Sequence, residues 1–87
     1  MTDDELTRFR TQITALDREI LAAVNRRLEL VGELRRYKEE HGLAFVDPDR
    51  EAQLLDEHVR GNGGPLSDDG VRSLLVELLA LMKRELG

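Results

Sequence analysis

Apolar residues fall at Leu6, Phe9, Ile13, Leu16, Ile20 and Ala23, then, past Arg27, at Leu30, Leu34 and Tyr37, with His41 closing the row. The steps alternate between three and four, which puts all of them on one face of a helix as a coiled-coil-like seam. Thr2 with Glu5 forms a capping-box signature, and nothing breaks the pattern until Gly42, which suits a C-terminal cap after His41. The pattern predicts a first helix over about 3 to 41. Asp47 then reads as an N-cap with Pro48 at the first helical position, opening a shorter helix that ends near Arg60. GNGGP, 61 to 65, is a turn. Ser67 caps a third helix with Asp68 and Asp69 in its first turn, where the dipole favours acids, and Leu-rich sequence runs to the end. The chain carries no internal repeat and no low-complexity tract. It reads as one all-α domain of three helices, one long, one short and one medium, over residues 1 to 87.

The length of the first helix changes this picture. At 1.5 Å per residue it would be roughly 55 Å long, whereas a compact domain of this chain length is about 30 Å across. The two shorter helices can cover about half of such a seam, so a second copy related by a two-fold axis is expected to cover the remainder and complete an intertwined homodimer. Chain length agrees, since at 87 residues a single core is only marginally able to stabilise itself. With no cysteine, disulfides and thiolate chemistry are excluded and a reducing, cytoplasmic setting is expected. The opening MTDDELTRFR is acidic where a secretory signal would be basic and then apolar, and no run approaches membrane-spanning length. A net charge of −5 argues against nucleic acid as partner. Any anionic ligand must be held by a local cluster of cations.

Four cations are candidates. Arg27 sits on the apolar seam, where a guanidinium loses hydration and needs an anion; a snorkelling arginine or a buried pair with a glutamate is the plain alternative. Lys38, eleven residues on, returns to within about 20° of Arg27 around the helix, although a lone lysine there is commonly solvated. Arg50 lies in the first turn of the second helix, where the dipole favours an anion, with Asp47, Asp49 and Glu51 as nearby intrachain partners. Arg10 is about 25 Å from Arg27 along the same helix and joins the others only across an antiparallel dimer. His41 and His58 lack metal-ligand spacing and read as surface or capping residues. GNGGP lacks the lysine and hydroxyl of a phosphate loop, and no nucleophilic triad is present. The residues alone lead to a helical dimer that binds a small, multiply anionic molecule.

The stretch RFRTQITALDREILAAVNRRLELVGELRRYK, followed after a gap by DPDRE and a Leu-rich third helix, resembles the all-helical chorismate mutases over essentially the whole chain. Arginine ahead of I-x-x-L-D, R-R-x-E-L, a lysine at the end of the long helix and D-x-x-R-E occur in order. The resemblance implies two interlocked three-helix chains with two active sites, and the Claisen rearrangement of chorismate to prephenate, with no cofactor and no metal. It implies that Arg27, with Arg10 from the partner chain, holds the substrate carboxylates and that Arg50 completes the clamp. Lys38 is then the donor to the ether oxygen, Glu51 the acceptor from the substrate hydroxyl, and Asp47 shapes that end through its helix cap. For Asp47 and Glu51 a capping role is an equally good account.

One departure stands out. Where active family members carry a glutamine or glutamate that also reaches the ether oxygen, this chain has Leu86, with Glu85 about 100° away around the helix. Met82, Glu85 and Leu86 are therefore the candidate site positions of the third helix. The ending LMKRELG resembles short mutases activated by 3-deoxy-arabino-heptulosonate 7-phosphate synthase, and DPDRE with GGP resembles mutase domains fused to it. A weak stand-alone enzyme is expected on that basis, with Met82 to Gly87 poorly ordered until a partner packs on them. Isochorismate pyruvate lyase and 4-amino-4-deoxychorismate mutase use the same scaffold and stay open as alternatives. A weakly active or non-catalytic regulatory module of the synthase, and a plain coiled-coil adaptor, also stay open.

Overall fold

The computed structural model describes residues 3 to 87 as three helices, α1 (Asp3–Glu40), α2 (Pro48–Gly61) and α3 (Asp68–Leu86). Thr2, half of the expected capping box, lies outside the described residues. No helix among them is long and apolar enough to cross a membrane. The chain divides into two units, Met1–Glu33 and Leu34–Gly87.

The first unit consists of the larger part of α1. Asp3, Asp4 and Glu5 occupy its first turn, complementing the helix dipole, and good helix formers follow without proline. Its apolar row is in the open: Ile13, Leu16 and Ile20 are each more than half exposed, at 58%, 56% and 59%. An isolated amphipathic helix gains little from such a face, because helical stability in proteins comes mostly from packing it.

In the second unit, α1 ends in a Schellman motif. Leu43 N donates to Lys38 O at 2.8 Å and Gly42 N to Glu39 O at 3.4 Å, with Gly42 at φ +66°, a conformation that glycine adopts without the Cβ penalty. His41 is drawn into the same cap: its Nδ1 lies 2.8 Å from Tyr37 O and its ring stacks on Tyr37 at 4.0 Å. The N-terminus of α2 is fixed as the sequence predicts, by the Asp47 side chain accepting from Arg50 N at 3.1 Å and by Pro48 in the first turn. Ser67 does the same for α3, accepting from Gly70 N at 3.0 Å.

Between them the chain turns through Gly64, at φ +80°, and Asn62 Nδ2 donates to Leu66 O at 2.8 Å across the turn. Two ion pairs set the direction of the hairpin: Asp56 meets Arg72 at 3.2 Å and Glu51 meets Lys83 at 2.8 Å, so α3 rises as α2 descends. The helices are antiparallel. Val71 and Met82 are the buried hydrophobic residues, at 7% and 2% exposure, with Leu54, Leu55, Val59, Leu75 and Leu78 half-buried around them. That is a small core, and Leu66, Leu74 and Val76 remain exposed on the same unit.

Candidate functional site

Lys38 belongs to the last turn of α1, where the negative end of the helix dipole favours a cation. Its side chain is half-buried, and Nζ donates to Phe45 O at 3.2 Å. The Schellman cap has already reversed the chain at Gly42, and this brings the carbonyl of Phe45 back over the end of the helix. An ammonium has three donors, so one bond orients Lys38 and leaves two for a ligand.

Arg50 stands in the first turn of α2 and finds an anion within the chain, but not one of those expected. Its Nη1 lies 3.6 Å from Glu57 Oε1, two turns further along the same helix, with both side chains more than half exposed. Asp47 does not pair with the guanidinium and caps the helix instead. Glu51 is also engaged: Lys83 Nζ approaches its two carboxylate oxygens at 2.8 and 3.3 Å, and Glu51 is the less exposed partner at 25%. Neither Lys83 nor Glu57 was anticipated. A basic residue in the last turn of α3 was a visible signal for Lys83, but its match with Glu51 follows only from the antiparallel register.

The end of α3 corrects another expectation. Far from being poorly ordered, the segment Met82 to Gly87 is helical through Leu86, and Met82 is the most deeply buried hydrophobic residue of the described chain. In the single chain Met82 packs in the core at the start of this segment. Arg35 donates from Nη1 to Leu86 O and from Nη2 to Gly87 O at 3.2 Å, which satisfies carbonyls left open at the helix end. Leu86 is half-buried and Glu85 exposed. Leu86 thus contributes its backbone oxygen to a structural contact.

On the first unit, Arg27 is half-buried and Arg10 exposed. Arg27 makes no ion pair among the described residues, so the alternative of a buried pair with a glutamate is not what the structure contains. An open groove of about 340 Å³ between the end of α2 and the start of α3 is lined by His58, Gly61, Asn62, Leu66, Val71, Leu74 and Leu75. It includes none of the candidate site residues and is largely apolar.

A family model described as chorismate mutase type II matches residues 9–85. The chain belongs to the chorismate mutase type II family. Two solved forms of the chorismate mutase of Thermus thermophilus superpose with TM-scores of 0.87 and 0.89 at 32% and 31% identity. These alignments cover 90% and 92% of this chain, and 98% and 91% of the Thermus chains. Among curated relatives, a T-protein of Haemophilus influenzae is 33% identical over 82 residues, covering 88% of this chain and 22% of that protein. A 4-amino-4-deoxychorismate mutase of Streptomyces venezuelae is 37% identical over 57 residues, 66% of this chain and 55% of that one. The chain therefore spans about a fifth of the T-protein and about half of the Streptomyces enzyme. The three-helix architecture is that of the Thermus mutase, and the all-α expectation holds.

Proposed function

We propose that this chorismate mutase family member is an isomerase that converts chorismate to prephenate. The observation that carries the reading is the alignment of nearly the whole chain with chorismate mutase along nearly the whole Thermus chain. In the rearrangement one ether C–O bond breaks and one C–C bond forms within a single molecule, with no net transfer of proton or electron. Catalysis then reduces to holding the reactive conformer and placing positive charge where negative charge grows on the ether oxygen.

In this reading Lys38 serves the ether oxygen with the donors that Phe45 leaves available. Arg27, Arg50 and the partner chain's counterpart of Arg10 hold the two carboxylates. Arg50 suits the task because its ion pair with Glu57 is long and half in water, and such pairs contribute about 0 to 1 kcal/mol. A substrate carboxylate displaces it at small cost. Glu51 accepts from the substrate hydroxyl while Lys83 keeps its carboxylate in place, and Asp47 acts through the cap that sets the first turn of α2. Two copies of the chain form the working unit, supported by the exposed row Leu6, Phe9, Ile13, Leu16 and Ile20. The absence of cysteine supports a cytoplasmic setting. An association with 3-deoxy-arabino-heptulosonate 7-phosphate synthase is supported by the ending LMKRELG, with the α3 terminus already folded in the single chain.

A second reading is favoured by the Streptomyces relative, namely that the substrate is 4-amino-4-deoxychorismate. The two compounds differ at the group that Glu51 would meet. The purified chain should be given each in turn, following loss of ultraviolet absorbance and identifying the product. Conversion of chorismate at the higher kcat/KM establishes the first reading; preference for the amino compound establishes the second, and conversion of neither removes both.

A further inference from the structure

Resting on the reading of Lys38 as the ether donor, we infer that Arg35 is its positioning residue, acting through Phe45. Lys38 is a flexible four-carbon side chain, and the one bond that orients its Nζ goes to a carbonyl of the loop between α1 and α2. A loop carbonyl is only as fixed as the loop. Between His41 and Arg50 every residue is exposed except Phe45. The ring of Phe45 lies under the guanidinium of Arg35, 5.3 Å from the ring centre, in the face-on arrangement that attracts a cation to an aromatic ring.

Arg35 is itself immobilised from two further directions. Its Nε lies 3.3 Å from Glu39 Oε1, one turn on along α1, and its two terminal nitrogens donate to Leu86 O and Gly87 O at the end of α3. With a side chain only 29% exposed, it ties the last turn of α1, the loop and the last turn of α3 together. The planar fork of arginine suits this because it bonds two carbonyls in its own plane while its face lies against a ring; lysine cannot do both. The contact also gives the leucine at position 86 a part in the site, through its backbone oxygen and not its side chain.

The test is steady-state kinetics on chorismate for the full chain, at a temperature where circular dichroism shows each variant folded. Arg35→Ala and Phe45→Leu should each lower kcat by about 10-fold with KM within about two-fold of the parent, because misplacing Lys38 affects charge that appears only in the transition state. Adding Arg35→Ala to Lys38→Ala should change kcat by less than about two-fold, since residues acting through one another are not additive. An Arg35→Ala variant with parental kcat, or losses that multiply in the double variant, overturns the inference. If Arg35→Ala does not fold, Phe45→Leu alone and combined with Lys38→Ala is judged by the same criteria. Should the parent chain itself fail to convert chorismate, the proposed function falls and takes this inference with it; parental conversion unaffected by Arg35→Ala removes the inference only.

Discussion

Ile13 offers the sharpest test of the proposed two-chain unit. It lies mid-way along the exposed row of α1 and is 58% exposed in the single chain. Fully burying an isoleucine side chain contributes about 1.5 to 3 kcal/mol, so covering the remaining surface contributes roughly 0.9 to 1.7 kcal/mol per copy. A two-fold dimer contains the residue twice, which makes the loss on Ile13→Asp at least about 1.7 to 3.5 kcal/mol, or roughly 20- to 300-fold in the dimer dissociation constant. Desolvating the new carboxylate adds to that. Sedimentation equilibrium over a range of concentrations reads the constant directly. Turnover per chain should fall in parallel and recover at high protein concentration, because in the proposed two-chain unit Arg10 serves the site of the partner chain. An Ile13→Asp chain that is as dimeric as the parent would show that this face is not the interface, and a parent that is monomeric at all concentrations would remove the dimer altogether.

Three further outcomes follow from the structure. Lys38→Ala should lower kcat by about 100- to 1,000-fold, the loss expected on removing one donor to developing charge, with the far-ultraviolet spectrum unchanged; parental kcat would refute the assignment. Asp47→Ala removes the side-chain bond to Arg50 N and should cost about 1 kcal/mol in denaturant unfolding, whereas Asp47→Ser should restore most of it. Met82→Ala empties the most buried position of the second unit and should cost about 2 to 5 kcal/mol; a loss below about 1 kcal/mol by thermal or urea unfolding would place Met82 outside the core.

Local chemistry was legible and register was not. The caps at Asp47, Ser67 and Gly42 are written within a few residues of where they act, and all three form with the predicted partners or geometry. Helix α1 ends at Glu40 and α2 at Gly61, each within a residue of its expected end. By contrast, Glu51 with Lys83 and Arg35 with the α3 carbonyls join residues 32 to 52 positions apart. Those contacts depend on how far α3 slides along its neighbours, a quantity no short motif encodes. The expectation of a loose α3 end came from the likeness of LMKRELG to short mutases activated by a synthase, and that likeness carries no information on how deeply Met82 packs in this chain.

The resting partners of the cations bear on which of them does the chemistry. Arg50 faces Glu57, Arg72 faces Asp56, Lys83 faces Glu51 and Arg84 faces Glu77, so each rests beside a carboxylate. Lys38 is different, because its oriented bond goes to a backbone carbonyl. A carbonyl fixes direction without cancelling charge, and the C-terminal dipole of α1 adds only a partial negative charge nearby. In a chain of net charge −5, long-range attraction for a dianion is absent, and stabilisation has to come from the few groups within contact distance. A cation already oriented and not yet neutralised needs no ion pair broken when the ether oxygen becomes negative, and preorganisation of that kind is what lowers a barrier. Arg50, which must exchange Glu57 for a substrate carboxylate, is better suited to binding. A Lys38→Ala variant should accordingly lose kcat with KM nearly unchanged and an Arg50→Ala variant should lose kcat/KM with a raised KM; the reverse pattern would exchange the two roles.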